Sequence, residues 1–263
     1  MAVFVEPGSP FNKAAGLGFE GVPDEHALAE LEQQFDEREC PIQIELSSLA
    51  NPAIGRLLTA RGFELIGFEN VLGLPLAPEA IEDLPQGPPD RSVVVLRAGP
   101  ADADGWMHAV TTGFMHPDTF DGPSSHESFE RELLERIYAD LAAVPSYERY
   151  VARRDGEVAG GASLRIDDGI AQLCGAATLP EHRRHGVQTA LLHHRLVKSA
   201  RRGCDVAIVT TQPGSKSQQN VQKFGFTLLY ARAILVRPVR GEKETRQSPT
   251  SNSQLPRHAE STG

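Results

Sequence analysis

Leu179-Pro-Glu-His-Arg-Arg-His-Gly-Val-Gln-Thr-Ala-Leu-Leu192 decides the fold. An apolar strand-like run ends just before it, a Pro-Glu turn follows, and an Arg-Arg-X-Gly segment opens into an amphipathic pattern with helical period. A helix that starts this way directs its first, unpaired backbone N–H groups and the positive end of its dipole at one point. A phosphate or pyrophosphate fits such a point. Arg183 and Arg184 add donors whose geometry matches phosphate oxygens. The stretch therefore reads as a site for an anionic cofactor, which leaves the rest of the chain to supply a second substrate.

Working outward, the flanks alternate period. Ser92–Leu96 is β-branched, and Asp102–Phe114 and His126–Val144 carry helical spacing. Arg149–Arg153, Val158–Ile166 and Ile170–Thr178 read as strands joined at Asp155-Gly156 and Asp167-Asp168-Gly169, both hairpin turn sequences. The helix from 186 stops at Gly203, behind Arg201 and Arg202. Val206–Thr210 is an uncharged strand, Ser215–Phe224 a short helix, and Phe226–Val236 a last strand. The order from 92 to 240 is β-α-α-β-β-β-α-β-α-β, a mixed-sheet α/β fold. Four prolines within 77–91 mark a linker, assigned here to 79–91, and the polar run 241–263 is expected to be a disordered tail.

The first 78 residues echo the last part of this block. Cys40-Pro-Ile-Gln-Ile-Glu-Leu can be laid over Cys204-Asp-Val-Ala-Ile-Val-Thr, Gly62-Phe63 over Gly225-Phe226, and Pro75 over Pro238, with one residue of slippage. Ala14–Phe19 then matches the strand before the cofactor loop and 24–38 the helix after it. An internal duplication accounts for the match. The intervening turn, Glu20-Gly-Val-Pro-Asp-Glu25, carries three acids and no arginine and would repel a phosphate. The N-terminal segment is thus expected to be a partial repeat without cofactor.

Taken together, Arg183-Arg184-His185-Gly186-Val187-Gln188, between a strand and a long helix, and Asn220-Val-Gln-Lys-Phe-Gly225-Phe226, before the last strand, resemble the two signatures of the GCN5-related N-acetyltransferase (GNAT) superfamily. The resemblance covers 92–239 and, in degenerate form, 11–78. It implies the acyl-CoA N-acyltransferase fold, acetyl-CoA as co-substrate, and direct acetyl transfer to an amine. It implies cofactor contacts from Ala177, Thr178, Arg183, Arg184, His185, Gly186, Val187, Gln188, Thr189 and Asn220, and polarisation of the thioester carbonyl by a backbone N–H near Ala176–Thr178. Two positions depart from the pattern. Gln188 stands where the family has glycine or alanine, so its side chain must turn away from the pyrophosphate. Val221 stands where many members carry the tyrosine that protonates the departing thiolate. Ser217 and Tyr230 are the candidate substitutes. The resemblance also places the acceptor pocket at 113–128, where Phe114, Met115 and Phe120 mix with Asp118, Asp121 and Glu127 and would suit a cationic amine with apolar parts.

Composition narrows the function classes. The chain is 40% hydrophobic and 23% charged, an ordinary globular mix, and its net charge of -9 argues against a general nucleic-acid binder. Cys40, Cys174 and Cys204 lack metal-ligand spacing and read as buried thiols, and no partner ligand suits His193 and His194. His182 and His185 read as solvated loop residues. No apolar run approaches the ~20 residues of a membrane span, and no basic-then-apolar leader is visible, so a cytoplasmic monomer or homodimer is expected. Three readings stand: a small-molecule N-acetyltransferase, a catalytically weak acetyl-CoA-binding module, and a protein acetyltransferase.

Overall fold

The computed structural model describes residues 1–77, Leu84, 92–117 and 130–239. The expected tail, most of the expected linker and acceptor residues 118–128 lie outside the described residues. The elements run β1 (Ala2–Val3), β2 (Lys13–Ala15), α1 (Glu25–Asp36), β3 (Ile42–Ser47), α2 (Pro52–Ala60), β4 (Glu64–Pro75), β5 (Val93–Arg97), α3 (Ala103–Met115), α4 (Arg131–Ala142), β6 (Tyr147–Arg154), β7 (Glu157–Asp167), β8 (Ile170–Thr178), α5 (Val187–Arg201), β9 (Val206–Thr211), α6 (Lys216–Lys223) and β10 (Thr227–Arg237). From residue 92 onward, this is the order read from the sequence. Local chemistry sets the boundaries. Asp24, Asn51 and Ser215 accept from the amides of His26, Ala53 and Gln218 and so cap α1, α2 and α6. Asp155-Gly156 and Asp168-Gly169 take positive φ and turn β6 into β7 and β7 into β8.

All ten strands form one sheet in the order β1-β2-β3-β10-β4-β9-β8-β7-β6-β5. Around its centre the order is palindromic. β2 runs parallel to β3 and β8 parallel to β9, while β10 pairs antiparallel with β3, and β4 antiparallel with β9. β10 and β4 lie antiparallel between them. Each last strand is therefore seated in the other half: β4 separates β9 from β10, and β10 separates β3 from β4.

The central register carries the same symmetry. Arg232 lies opposite Glu69, and one extra residue bulges from each strand, Leu229 from β10 and Ile66 from β4. In the overlay that puts Gly62-Phe63 on Gly225-Phe226, Arg232 is equivalent to Glu69 and Leu229 to Ile66. Glu69 and Arg232 form an ion pair at 2.6 Å. Arg232 also donates to Glu45 on β3, which takes Lys13 Nζ at 2.7 Å.

Packing follows the exchange. Leu28, Phe35, Ile42, Ile44, Ile54, Leu58 and Phe63 form an N-terminal core that includes Leu235 of β10. The main core, under α5 and α6, includes Leu72 of β4 beside Leu173, Leu191, Leu196, Ala207, Val221 and Phe224. Each such aliphatic side chain stabilises the fold by about 1.5–3 kcal/mol. Leu84, within the expected linker, is buried in the main core too. On the opposite face, α3 and α4 cover a third cluster of Trp106, Val110, Tyr147 and Val151. No helix among the described residues is long and apolar enough to cross a membrane.

Candidate active site

β8 and β9 pair in parallel from Ile170/Val206 to Leu173/Val209 and no further. The cause lies in β8. Its register with β7 moves from Ser163/Cys174 to Gly161/Ala177, so one more residue is spent on β8 than on β7. Gly175, inside that step, has φ +55, a conformation open to glycine at little cost. A Cβ there would stand 3.3 Å from Ser163 Oγ and 3.4 Å from the Tyr147 hydroxyl. The bulge turns β8 away from β9 and leaves a slot between Cys174–Thr178 and the end of β9.

Buried polar atoms mark the slot's ends. Thr178 Oγ1 on β8, His182 Nδ1 just beyond it and Thr211 Oγ1 on β9 have no hydrogen-bond partner among the described residues. Buried hydroxyls without partners are uncommon unless a ligand or water completes them. Helix α3 closes over β8 so tightly that a Cβ on Gly113 would stand 2.4 Å from that of Ala177.

The 179–186 loop crosses the end of this slot. Arg184 has φ +65 and Gly186, the N-cap of α5, φ +77, which curl the backbone over the helix start. The first bond of α5 runs from Ala190 N–H to the Gly186 carbonyl, so the amides of Val187, Gln188 and Thr189 precede the ladder and are available to an anion. Arg183 donates to the His116 carbonyl at the end of α3, which ties the loop to the opposite helix layer. Arg184 and His185 are exposed, and Val187 is buried in the main core. His182 is half-buried rather than solvated. The donor set fits a pyrophosphate.

The other expected residues scatter. Asn220 is half-buried on α6; Ser217, in the first turn of that helix, is exposed, and the cap is Ser215. Val221 is buried in the main core beside Phe224. Tyr230 lies opposite Val71 on β10, with β4 between it and β9. The strand against β9 is β4, where Asn70 Nδ2 donates to Gln218 Oε1 at 3.2 Å. His193 and His194 are half-buried on α5, not surface residues. Burial lowers the pKa of both.

Sequence reasoning missed three features: the bulge, the seating of β4, and a polar group on the α3/α4 side of the bulge. Tyr147, Ser163 and Cys174 meet there. Burial, above all, raises the Tyr147 pKa and pushes that of Cys174 up to about 11, so both protons stay on. Gly-Ala-Ala directly after Cys174, unusual inside a strand, is the sequence signal for the bulge.

Residues 114–226 match the family model of the Acetyltransferase (GNAT) family. Over that stretch the chain is similar to a GNAT domain. Solved structures agree on the fold. A GCN5-related N-acetyltransferase from Kribbella flavida is 20% identical, with a TM-score of 0.58 over 81% of this chain and 74% of that one. One from Sphaerobacter thermophilus is 15% identical, TM-score 0.59, covering 81% and 68%. A tandem GNAT protein from the clavulanic acid biosynthesis pathway is 14% identical, TM-score 0.59, again over 81% and 68%. No curated protein matches the chain. The matched region runs from the end of α3 to just before β10, so the splayed strands and the loop lie wholly inside it.

Proposed function

We propose that this chain is an acetyl-CoA-dependent N-acetyltransferase acting on the amine of a small molecule. The observation that carries the reading is the slot between β8 and β9, opening onto a loop whose free amides and arginines suit a pyrophosphate. In this reading the pyrophosphate of the co-substrate rests on the amides of 186–189 and on Arg184, while Arg183 anchors the loop. Its pantetheine arm lies between β8 and β9, with Ala177 and Thr178 on one side and Asn220 beyond the other. A backbone N–H of the bulge at Ala176–Thr178 polarises the thioester carbonyl. The neutral amine attacks that carbon, a C–N bond forms, the C–S bond breaks with its electron pair leaving on sulfur, and the amine nitrogen gives up its extra proton to water. A thiol of pKa ~8.5 leaves acceptably as thiolate, so a strong acid is not essential. Of the two candidate acids we retain Ser217, because β4 separates Tyr230 from β9.

The first 77 residues, in this reading, are a partial copy of the GNAT domain without a cofactor loop. The loop that stands in its place lines a cleft of about 510 Å³ with Ala14, Gly16, Phe19, Glu20 and Asp24. What the partial copy contributes is β4, which pairs with β9 along the edge opposite the slot.

Isothermal titration with CoA, and thiol release from acetyl-CoA across a panel of amines, test the proposal together. Gly186→Asp places a carboxylate and a side chain beside the pyrophosphate and is expected to lower CoA affinity at least 100-fold with the fold intact. Unchanged affinity in that variant would end the reading. A second reading, an acetyl-CoA-binding module without turnover, is favoured by Val221, buried where many relatives place the acid. Tight CoA binding with no thiol release on any amine would select it.

A further inference from the structure

Arg195 on α5 is 2% exposed, and no carboxylate among the described residues pairs with it. Its guanidinium is spent on main-chain oxygens instead. Nε donates to the Leu191 carbonyl one turn back at 3.1 Å, while Nη1 reaches the Ser163 carbonyl at 2.9 Å and the Cys174 carbonyl at 3.4 Å. Ser163 and Cys174 face each other across β7 and β8, and they are the last pair before the register slips. The arginine therefore bridges the two strands at the foot of the bulge. Burial pushes its pKa down to about 10, which leaves it charged at neutral pH.

Burying a cation with no counter-ion is costly, and a hydrophobic residue of similar length would fill the same space without that cost. A role in stability alone does not account for it. The carbonyls it serves do account for it. A bulge breaks the ladder and leaves carbonyls turned inward, and each must find a donor. With Arg195 in place β8 can remain bent. Without it, the cheapest way to satisfy the freed groups is for β8 to straighten and pair further along β9, toward Thr210 and Thr211.

We propose that Arg195 is a positioning residue that keeps β8 splayed from β9 and so holds open the slot for the pantetheine arm. The proposal rests on the acyl-CoA reading of the site. It separates two parts of one ligand: the loop binds the pyrophosphate end without help from Arg195, while the slot needs it.

The test is calorimetric titration of the full chain with two probes. One is CoA; the other is 3′-phosphoadenosine 5′-diphosphate, which retains the pyrophosphate but lacks the pantetheine arm. Arg195→Met is expected to weaken CoA at least tenfold and to leave the truncated ligand within twofold of the unmodified protein. Arg195→Lys, which keeps the charge and one of the two cross-strand bonds, is expected to fall between, and serves if the methionine variant does not fold. A merely structural arginine would lower the melting temperature and move both affinities equally or neither. A folded variant with CoA affinity unchanged, or with both ligands weakened alike, overturns the inference. Unmodified protein that binds neither probe overturns the acyl-CoA reading itself, and this inference with it.

Discussion

At the scale of the residue, Val221 shows how a position to which the resemblance assigns chemistry can be taken by the core. It sits one helical turn beyond Ser217 on α6 and is 4% exposed, packed with Phe224 and Phe226 in the main core. Restoring the tyrosine seen in many relatives is therefore not a simple gain. A phenol in that space overpacks a filled core, which commonly costs about 1–3 kcal/mol. Val221→Tyr is expected to unfold at lower denaturant concentration than the unmodified protein. An unchanged midpoint would mean that the position opens onto the slot, so the proton-donor question would return to it. The 179–186 loop and the helix after it were legible in the sequence because their chemistry is local: Arg-Arg-X-Gly before an amphipathic run needs no distant partner. Arg195 was not legible. Within His193-His-Arg-Leu-Val-Lys-Ser-Ala-Arg-Arg202 nothing sets it apart from the other basic residues, and only the β7–β8 bulge beneath it gives it a different task.

At the scale of the element, two features carry measurable energy. The first is the pair of exchanged strands. Arg232 of β10 bridges Glu69 of β4 and Glu45 of β3, both nearly buried. Arg232→Met leaves two carboxylates with too few partners, and is expected to cost about 3 kcal/mol by analogy with broken buried pairs. Glu69→Gln leaves Arg232 still held by Glu45 and should cost only about 1 kcal/mol. Equal losses in urea denaturation would show that the centre of the sheet does not depend on this bridge. The second feature is α5. His194 lies against the Tyr150 ring, centroids 5.1 Å apart. Burial, and then the charges of Lys198, His193, Arg195 and Arg201, hold its pKa below the usual 6.5. The unfolded chain therefore binds the proton more readily than the folded one. Stability from this group is complete above pH 6.5 and is lost as pH falls below that value through the folded pKa. The melting temperature is expected to drop between pH 7.5 and pH 5.5, and His194→Gln to flatten that slope. Parallel slopes would assign the acid sensitivity elsewhere.

At the scale of the whole molecule, the question is whether the first 77 residues form a unit of their own. Composition placed a boundary near residue 78, and strand and helix periods matched both sides. What periodicity could not supply was the partner of each strand. β4 and β10 share a Gly-Phe lead-in and end at a proline, so either satisfies the local pattern beside β9. Their seating is settled by long-range pairing, by Leu72 in one core and Leu235 in the other, and by a register that puts Glu69 against Arg232. Two N-terminal or two C-terminal segments paired in this register would set Glu69 against Glu69, or Arg232 against Arg232, and like charges in register destabilise a sheet. The sequence thus favours exchange between unlike halves over exchange between like ones. It follows that neither half is complete alone. A chain beginning at residue 81 keeps the 179–186 loop but loses the strand between β9 and β10, and with it Leu72 from the main core. Expressed separately, 1–80 and 81–263 are each expected to aggregate or remain unfolded. Expressed together, they are expected to copurify in equal amounts and to bind CoA as the intact chain does. Recovery of 81–263 alone as a soluble, folded monomer with intact CoA affinity would show that β9 and the main core hold their shape without β4.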